Sequence, residues 1–125
     1  MYEICLTAYE KAIFISHFPG RKIFHNPKVC NNIKGHYSIN NQLERSGTSI
    51  GANIREANYA HSKNDFVSKL QIALKECYET EYWIELFVKA EMLDREEAKK
   101  LYNECGTIRK ILISSINTAK DNNGE

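Results

Sequence analysis

Residues 63–90 read KNDFVSKLQIALKECYETEYWIELFVKA. Within them Phe66, Leu70, Ala73, Leu74, Cys77, Ile84, Phe87 and Val88 recur every three or four positions. That interval places apolar side chains on one face of an α-helix, whereas a half-buried strand would alternate them. Ser62 stands immediately before the run and Asp65 three residues after it. The pair predicts an N-cap resembling a capping box, with the Asp65 carboxylate at the positive end of the helix dipole.

The same periodicity extends in both directions. Downstream, Asp94 is positioned to cap a further helix with Glu96 and Glu97 in its first turn and Ala98, Leu101, Cys105, Ile108, Leu112 and Ser115 facing inward. Upstream, Ser38 to about Ala60 reads as a helix whose inward side carries Ile39, Leu43, Ser46, Ile50, Ile54 and Ala57. Its centre, Ser46-Gly47-Thr48-Ser49, is poor in helix formers, so tertiary packing must hold it. Gly47 and Gly51 fall one turn apart, and a face without Cβ atoms admits close packing of a neighbouring helix. Tyr2 to Ser16 carries a first, shorter pattern through Cys5, Tyr9, Ala12, Ile13 and Ser16, broadened by Ile4, Ala8 and Ile15. Pro19, Gly20 and Asn26-Pro27 then mark a long connection.

Short joints force helices to pack as antiparallel neighbours. The expected fold is all-α, an antiparallel up-down four-helix bundle whose first helix is short or irregular. Its 125 residues suffice for one hydrophobic core, so residues 1–120 form a single domain and 121–125 a disordered polar tail.

Composition narrows the function classes. Cys5, Cys30, Cys77 and Cys105 are widely separated with no Cys-x-x-Cys pair, which excludes a zinc knuckle or a thioredoxin-type motif and predicts buried thiols. The N-terminus carries Glu3 and Glu10 and no long apolar run, so neither a signal peptide nor a membrane span is expected and the cytoplasm is the expected compartment. Net charge is only +1, yet no acid occurs from Lys11 to Leu43. Lys11, Arg21, Lys22, Lys28 and Lys34 in that stretch are candidate phosphate contacts, with Phe24 and Tyr37 available to stack on bases; an ordinary solvated loop is the plainer reading.

Candidate chemistry is sparse. A di-iron bundle needs Glu-x-x-His on two helices, but Phe14, Lys22, Ile33 and Asn58 precede His17, His25, His36 and His61 by three residues. Glu76, Glu79, Glu81 and Glu85 fan around one helix; Glu81 is expected to point inward and to need a partner such as Arg45 or Arg55. A small-ligand or metal-binding bundle using Glu76, Glu81 and Arg45 is the alternative function, and a protein-partner scaffold a third. The Ser46–Gly51 stretch lacks the lysine and the preceding strand of a phosphate-binding loop. Tyr78, Tyr82, Trp83 and Phe87 exceed what one core stripe needs; core packing is the plainer reading and a subunit interface the sharper alternative.

The run Gln42-Leu43-Glu44-Arg45-Ser46-Gly47-Thr48-Ser49-Ile50-Gly51-Ala52-Asn53-Ile54-Arg55-Glu56-Ala57, followed by Asp65-Phe66, Ile72-Ala73-Leu74-Lys75-Glu76 and Glu79-Thr80-Glu81-Tyr82-Trp83, closely resembles the bacterial four helix bundle protein family. Members of that family are small proteins often encoded in intervening sequences of 23S ribosomal RNA genes. The resemblance covers the second and third helices and continues through Leu101, Cys105, Ile108, Ile111 and Leu112, but does not extend before about Tyr37. It implies a ring-like homopentamer with no enzymatic activity and no cofactor. Similar proteins include the accessory variability determinant of diversity-generating retroelements, a basic pentamer that binds nucleic acid and a reverse transcriptase; this chain lacks such strong basicity. The resemblance further implies that Arg45, Ser49, Asn53 and Glu56, with Glu76 and Glu81, form a polar network that fixes packing or subunit contacts.

Overall fold

The computed structural model describes residues 8, 10–12 and 37–121. Three long helices account for most of these: α1 (Tyr37–Ala57), α2 (Lys63–Lys89) and α3 (Arg95–Asp121). No strand occurs among the described residues. With the N-terminal helix, of which residues 8 and 10–12 are described, they form an all-α four-helix bundle. The remainder of the first helix, its expected irregularity and the connection that follows lie outside the described residues. At the other end α3 includes Asp121, the first residue of the expected tail, while residues 122–125 lie outside.

The caps follow from the sequence. Ser62 Oγ accepts the Asp65 backbone N–H at 3.1 Å, and Asp65 in turn accepts the His61 N–H at 3.2 Å. Asp94 Oδ2 accepts from the backbone N–H groups of Glu96 and Glu97 at 3.2 and 3.3 Å, occupying two donors that the helix itself cannot satisfy. The C-terminus of α2 closes differently. Met92 N–H donates to Phe87 O at 2.8 Å and Glu91 N–H to Val88 O at 3.0 Å, the paired bonds of a Schellman motif. The motif needs a left-handed residue after the cap, and Glu91 supplies it at φ 56, where glycine would be unstrained.

The joints, residues 58–62 and 90–94, are short, and the helices they connect run antiparallel. Ser46 of α1 meets Thr80 of α2, and further along α1 Glu56 meets Lys69, further back on α2. Likewise Glu85 meets Tyr102, while Cys77, earlier on α2, meets Cys105, later on α3.

Between them lies one apolar core. Leu43, Ser46, Ile50, Ile54 and Ala57 of α1 are buried, as are all the expected inward residues of α3 from Ala98 to Ser115, joined by Ile116 and Ala119. On α2 the buried set is Val67, Leu70, Ala73, Cys77, Thr80, Glu81, Ile84 and Phe87. Phe66, Leu74 and Val88, expected inside, pack against the core from its margin instead. The N-terminal helix adds Ala8 and Ala12, one turn apart and both buried. Cys77 and Cys105 are free buried thiols, as expected, and Cys5 and Cys30 lie outside the described residues.

Candidate functional site

The polar residues of the bundle form separate clusters and not the single network that the sequence suggests. Arg45, on the exposed side of α1, donates to Gln42 Oε1 at 3.2 Å and to Glu76 Oε2 at 3.4 Å, and pairs closely with Glu79, a carboxylate missing from the expected set. Glu79 also accepts the Trp83 indole N–H at 3.2 Å. Among the described residues Ser49 and Asn53 bond along their own helix, Asn53 Nδ2 donating to Ser49 O at 2.8 Å and to Ser49 Oγ at 3.1 Å. Glu56 reaches Lys69 at 2.8 Å. Gly47 and Gly51 are buried within α1.

The two carboxylates that Arg45 holds are shifted in opposite senses. Hydrogen bonding from Arg45 holds Glu79 below the ordinary carboxylate value, whereas burial pushes Glu76 above it. Glu79 therefore adds stability that is present above its unfolded pKa and is lost as pH falls through its depressed folded value; Glu76 opposes this, gaining as it protonates. Carboxyl-carbon NMR titration should show Glu76 protonating above pH 4.5 and Glu79 below it. Coincident midpoints would sink this assignment.

Beneath that surface pair lies a buried one. Thr80 Oγ1 approaches Ser46 Oγ at 2.9 Å and its own-helix Glu76 O at 2.8 Å, while Ser46 Oγ donates to Leu43 O at 3.1 Å. Every hydroxyl here has a partner, which is what allows two polar groups at the α1–α2 contact.

Glu81 is the buried carboxylate, as its position suggests, but its partner is neither Arg45 nor Arg55. Arg109 of α3 donates Nε to Glu81 Oε1 at 3.1 Å, with the Glu81 side chain 9% and the Arg109 side chain 32% exposed. The Arg109 guanidinium carbon lies 5.7 Å from the centroid of the Tyr78 ring, within cation–π range. Two turns away on α3, Tyr102 Oη donates to Glu85 Oε1 at 3.0 Å.

These groups lie along one face. Tyr78, Tyr82 and Glu85 occupy successive turns of an α2 edge, and Tyr102, Arg109 and Ile113 the facing edge of α3. Tyr78 is 49% and Tyr82 56% exposed, and Tyr102 and Ile113 are also exposed. Phe87, by contrast, is fully buried, and Trp83 packs at the core margin with its ring edge-on to Tyr82 at 5.0 Å. The aromatic excess of α2 thus divides into a core part and a surface part.

Of the candidate phosphate contacts, Lys11 pairs with Glu104 of α3 at 2.7 Å, which ties the N-terminal helix to α3. Arg21, Lys22, Lys28 and Lys34 lie outside the described residues, as do His17, His25 and His36. Among the described residues no three His, Cys, Asp or Glu side chains gather as a metal site would require, and no helix is long and apolar enough to cross a membrane. The carboxylates assigned to a ligand-binding interior, Glu76 and Glu81, are each held by an arginine.

Fold and surface together define a helical bundle whose conspicuous feature, among the described residues, is an aromatic face. Residues 22–114 match the model of the 23S rRNA-intervening sequence protein family, and the chain belongs to that family. The match begins well upstream of Tyr37, so the family pattern takes in part of the connection, which the motifs from Gln42 onward do not cover. Among solved structures, a protein of unknown function from the S23 ribosomal protein family of Bacteroides thetaiotaomicron VPI-5482 is 38% identical, with a TM-score of 0.78 over 91% of this chain and 98% of that one. No curated protein matches the chain.

Proposed function

We propose that this chain is a non-catalytic module that works in the cytoplasm as a homo-oligomer, its copies meeting through the α2–α3 tyrosine face, and that it associates with nucleic acid. The observation that carries the proposal is the exposure of Tyr78, Tyr82 and Ile113 on the α2–α3 face that also carries Arg109, whose guanidinium lies over the Tyr78 ring. Tyrosine and arginine are the residues enriched at the energetic centres of interfaces. Arg109 is already fixed by Glu81 and Tyr78, so little side-chain freedom is lost when a partner covers it. Five copies is the stoichiometry that the sequence resemblance implies. A ring would repeat the acid-free stretch from Lys11 to Leu43 once per copy, multiplying a modest positive charge.

Light scattering on the full chain is expected to give several times the mass of one copy. Replacing Tyr78 and Tyr82 together by serine should yield a monomer with unchanged helical circular dichroism, since both side chains are exposed. Fluorescently labelled RNA should be retained at low salt and released at moderate salt. A monomeric wild-type chain removes the assembly reading, and indifference to RNA even at low salt removes nucleic acid.

A further inference from the structure

At the end of the bundle where α2 turns into α3, a groove of about 350 Å³ runs between the two helices. Its floor is apolar, formed by Ile84 and Val88 of α2 and by Ala98 and the Tyr102 ring of α3. Its rim is cationic: Lys89 stands on one side and Arg95 and Lys99, one turn apart, on the other. All three cations are exposed, and among the described residues none has a hydrogen-bond or ion-pair partner. The one carboxylate in the lining, Glu85, is engaged by Tyr102 Oη. Asp94, nearby, is committed to capping α3.

We infer that this groove docks an acidic amphipathic helix of a partner protein, apolar side chains on the floor and carboxylates against Lys89, Arg95 and Lys99. A trough between antiparallel helices is open along its length and suits a third helix laid beside them, where a small ligand would stay largely in water. Charge decides the occupant. The chain's own residues 13–36 contain no acid and would be repelled by the rim. A second copy offering its tyrosine face brings only Glu81 and Glu85, already engaged by Arg109 and Tyr102. The inference is independent of self-association.

The test uses a fluorescein-labelled helical peptide of about 18 residues, with leucines at i, i+3, i+4 and i+7 and glutamates flanking them, read by anisotropy against the full chain. Wild-type protein is expected to bind it at low salt. Lys89→Glu/Arg95→Glu/Lys99→Glu should weaken binding about 30-fold, roughly threefold per charge, while leaving the fold intact because the positions are exposed. A peptide of the same composition with its leucines scrambled should bind as poorly as the variant sees the original. Unchanged light-scattering mass in the variant separates this result from any failure of assembly. Equal binding of the scrambled peptide, equal binding by the charge-reversed protein, no binding by wild type, or occupation of the groove by single-stranded RNA in place of the peptide each overturns the inference.

Discussion

Arg109→Ala is expected to lower the stability of the folded chain by about 2–3 kcal/mol, just below the range for breaking a fully buried ion pair because Arg109 is partly exposed. The asymmetry of the pair is the reason. Glu81 is nearly out of water while Arg109 is about one-third exposed, so removing the arginine strands a carboxylate that pairs with no other cation among the described residues. Part of the loss is packing, because the arginine stem and the contact with the Tyr78 ring go with the charge. Replacing Glu81 instead leaves an arginine that can reach solvent, so Glu81→Gln should cost less than Arg109→Ala. The double variant should cost less than the sum of the two, with a coupling of at least about 1 kcal/mol. Urea unfolding at one fixed protomer concentration reads all four corners of the cycle, since assembly would otherwise change the apparent stability. A loss under about 0.5 kcal/mol for Arg109→Ala, with additive behaviour, would show that Glu81 is solvated in the folded chain.

That pair also marks where reading the sequence stops short. Glu81 was expected to face inward because it lies one turn from Cys77 and seven residues before Val88, and one helix is enough to establish that. Naming its partner requires the register between α2 and α3. That register depends on where α2 ends, and α2 ends through a left-handed Glu91 for which composition gives no signal, since glycine is the usual residue there. Counting outward from the joint at residues 90–94 brings Cys77 level with Cys105, but Glu81 lies a turn nearer the joint and Arg109 a turn farther from it, so the two meet through long side chains that tilt toward the N-termini of their helices; from the sequence alone Arg45 and Arg55 look equally eligible. Thr80 is hidden for another reason. A threonine in an amphipathic helix is ordinarily assigned to its margin, and its buried position is made tolerable by the Glu76 carbonyl one turn back and the Ser46 hydroxyl on the neighbouring helix. Lys11 looks like a free cation in an acid-free stretch, yet Glu104 meets it from across the fold. What was legible, the inward stripes of α1 and α3 and the caps at Ser62 and Asp94, depends on neighbours within a few residues. What was not legible depends on pairs separated by most of the chain.

Phe87→Ala is expected to have the largest effect of any single truncation, about 3–5 kcal/mol. Phe87 is fully buried and the largest side chain so enclosed, so its loss removes both transfer free energy and the contacts of the atoms around it. The site has little freedom to collapse. Phe87 O accepts Met92 N–H in the closing turn of α2, and Met92 and Leu93 are themselves buried, so backbone and side chain on both sides of the ring are anchored. Phe87→Leu, which fills more of the same space, should cost roughly half as much. The contrast with Thr80→Val tests whether volume or polarity governs this interior. That change keeps the shape and removes a hydroxyl whose acceptor Ser46 Oγ retains its own bond to Leu43 O, so it should cost no more than about 1 kcal/mol. Urea titration of the three variants, with slopes matching wild type, should return Phe87→Ala well below Phe87→Leu and Thr80→Val nearest the parent. If Thr80→Val proved the most damaging of the three, the buried Ser46–Thr80 contact and not the apolar packing would set the α1–α2 contact. The joint at residues 90–94 positions Val88 against Ala98, so a collapse around Phe87 should also narrow the groove between them and weaken the acidic peptide's binding in a variant that still folds.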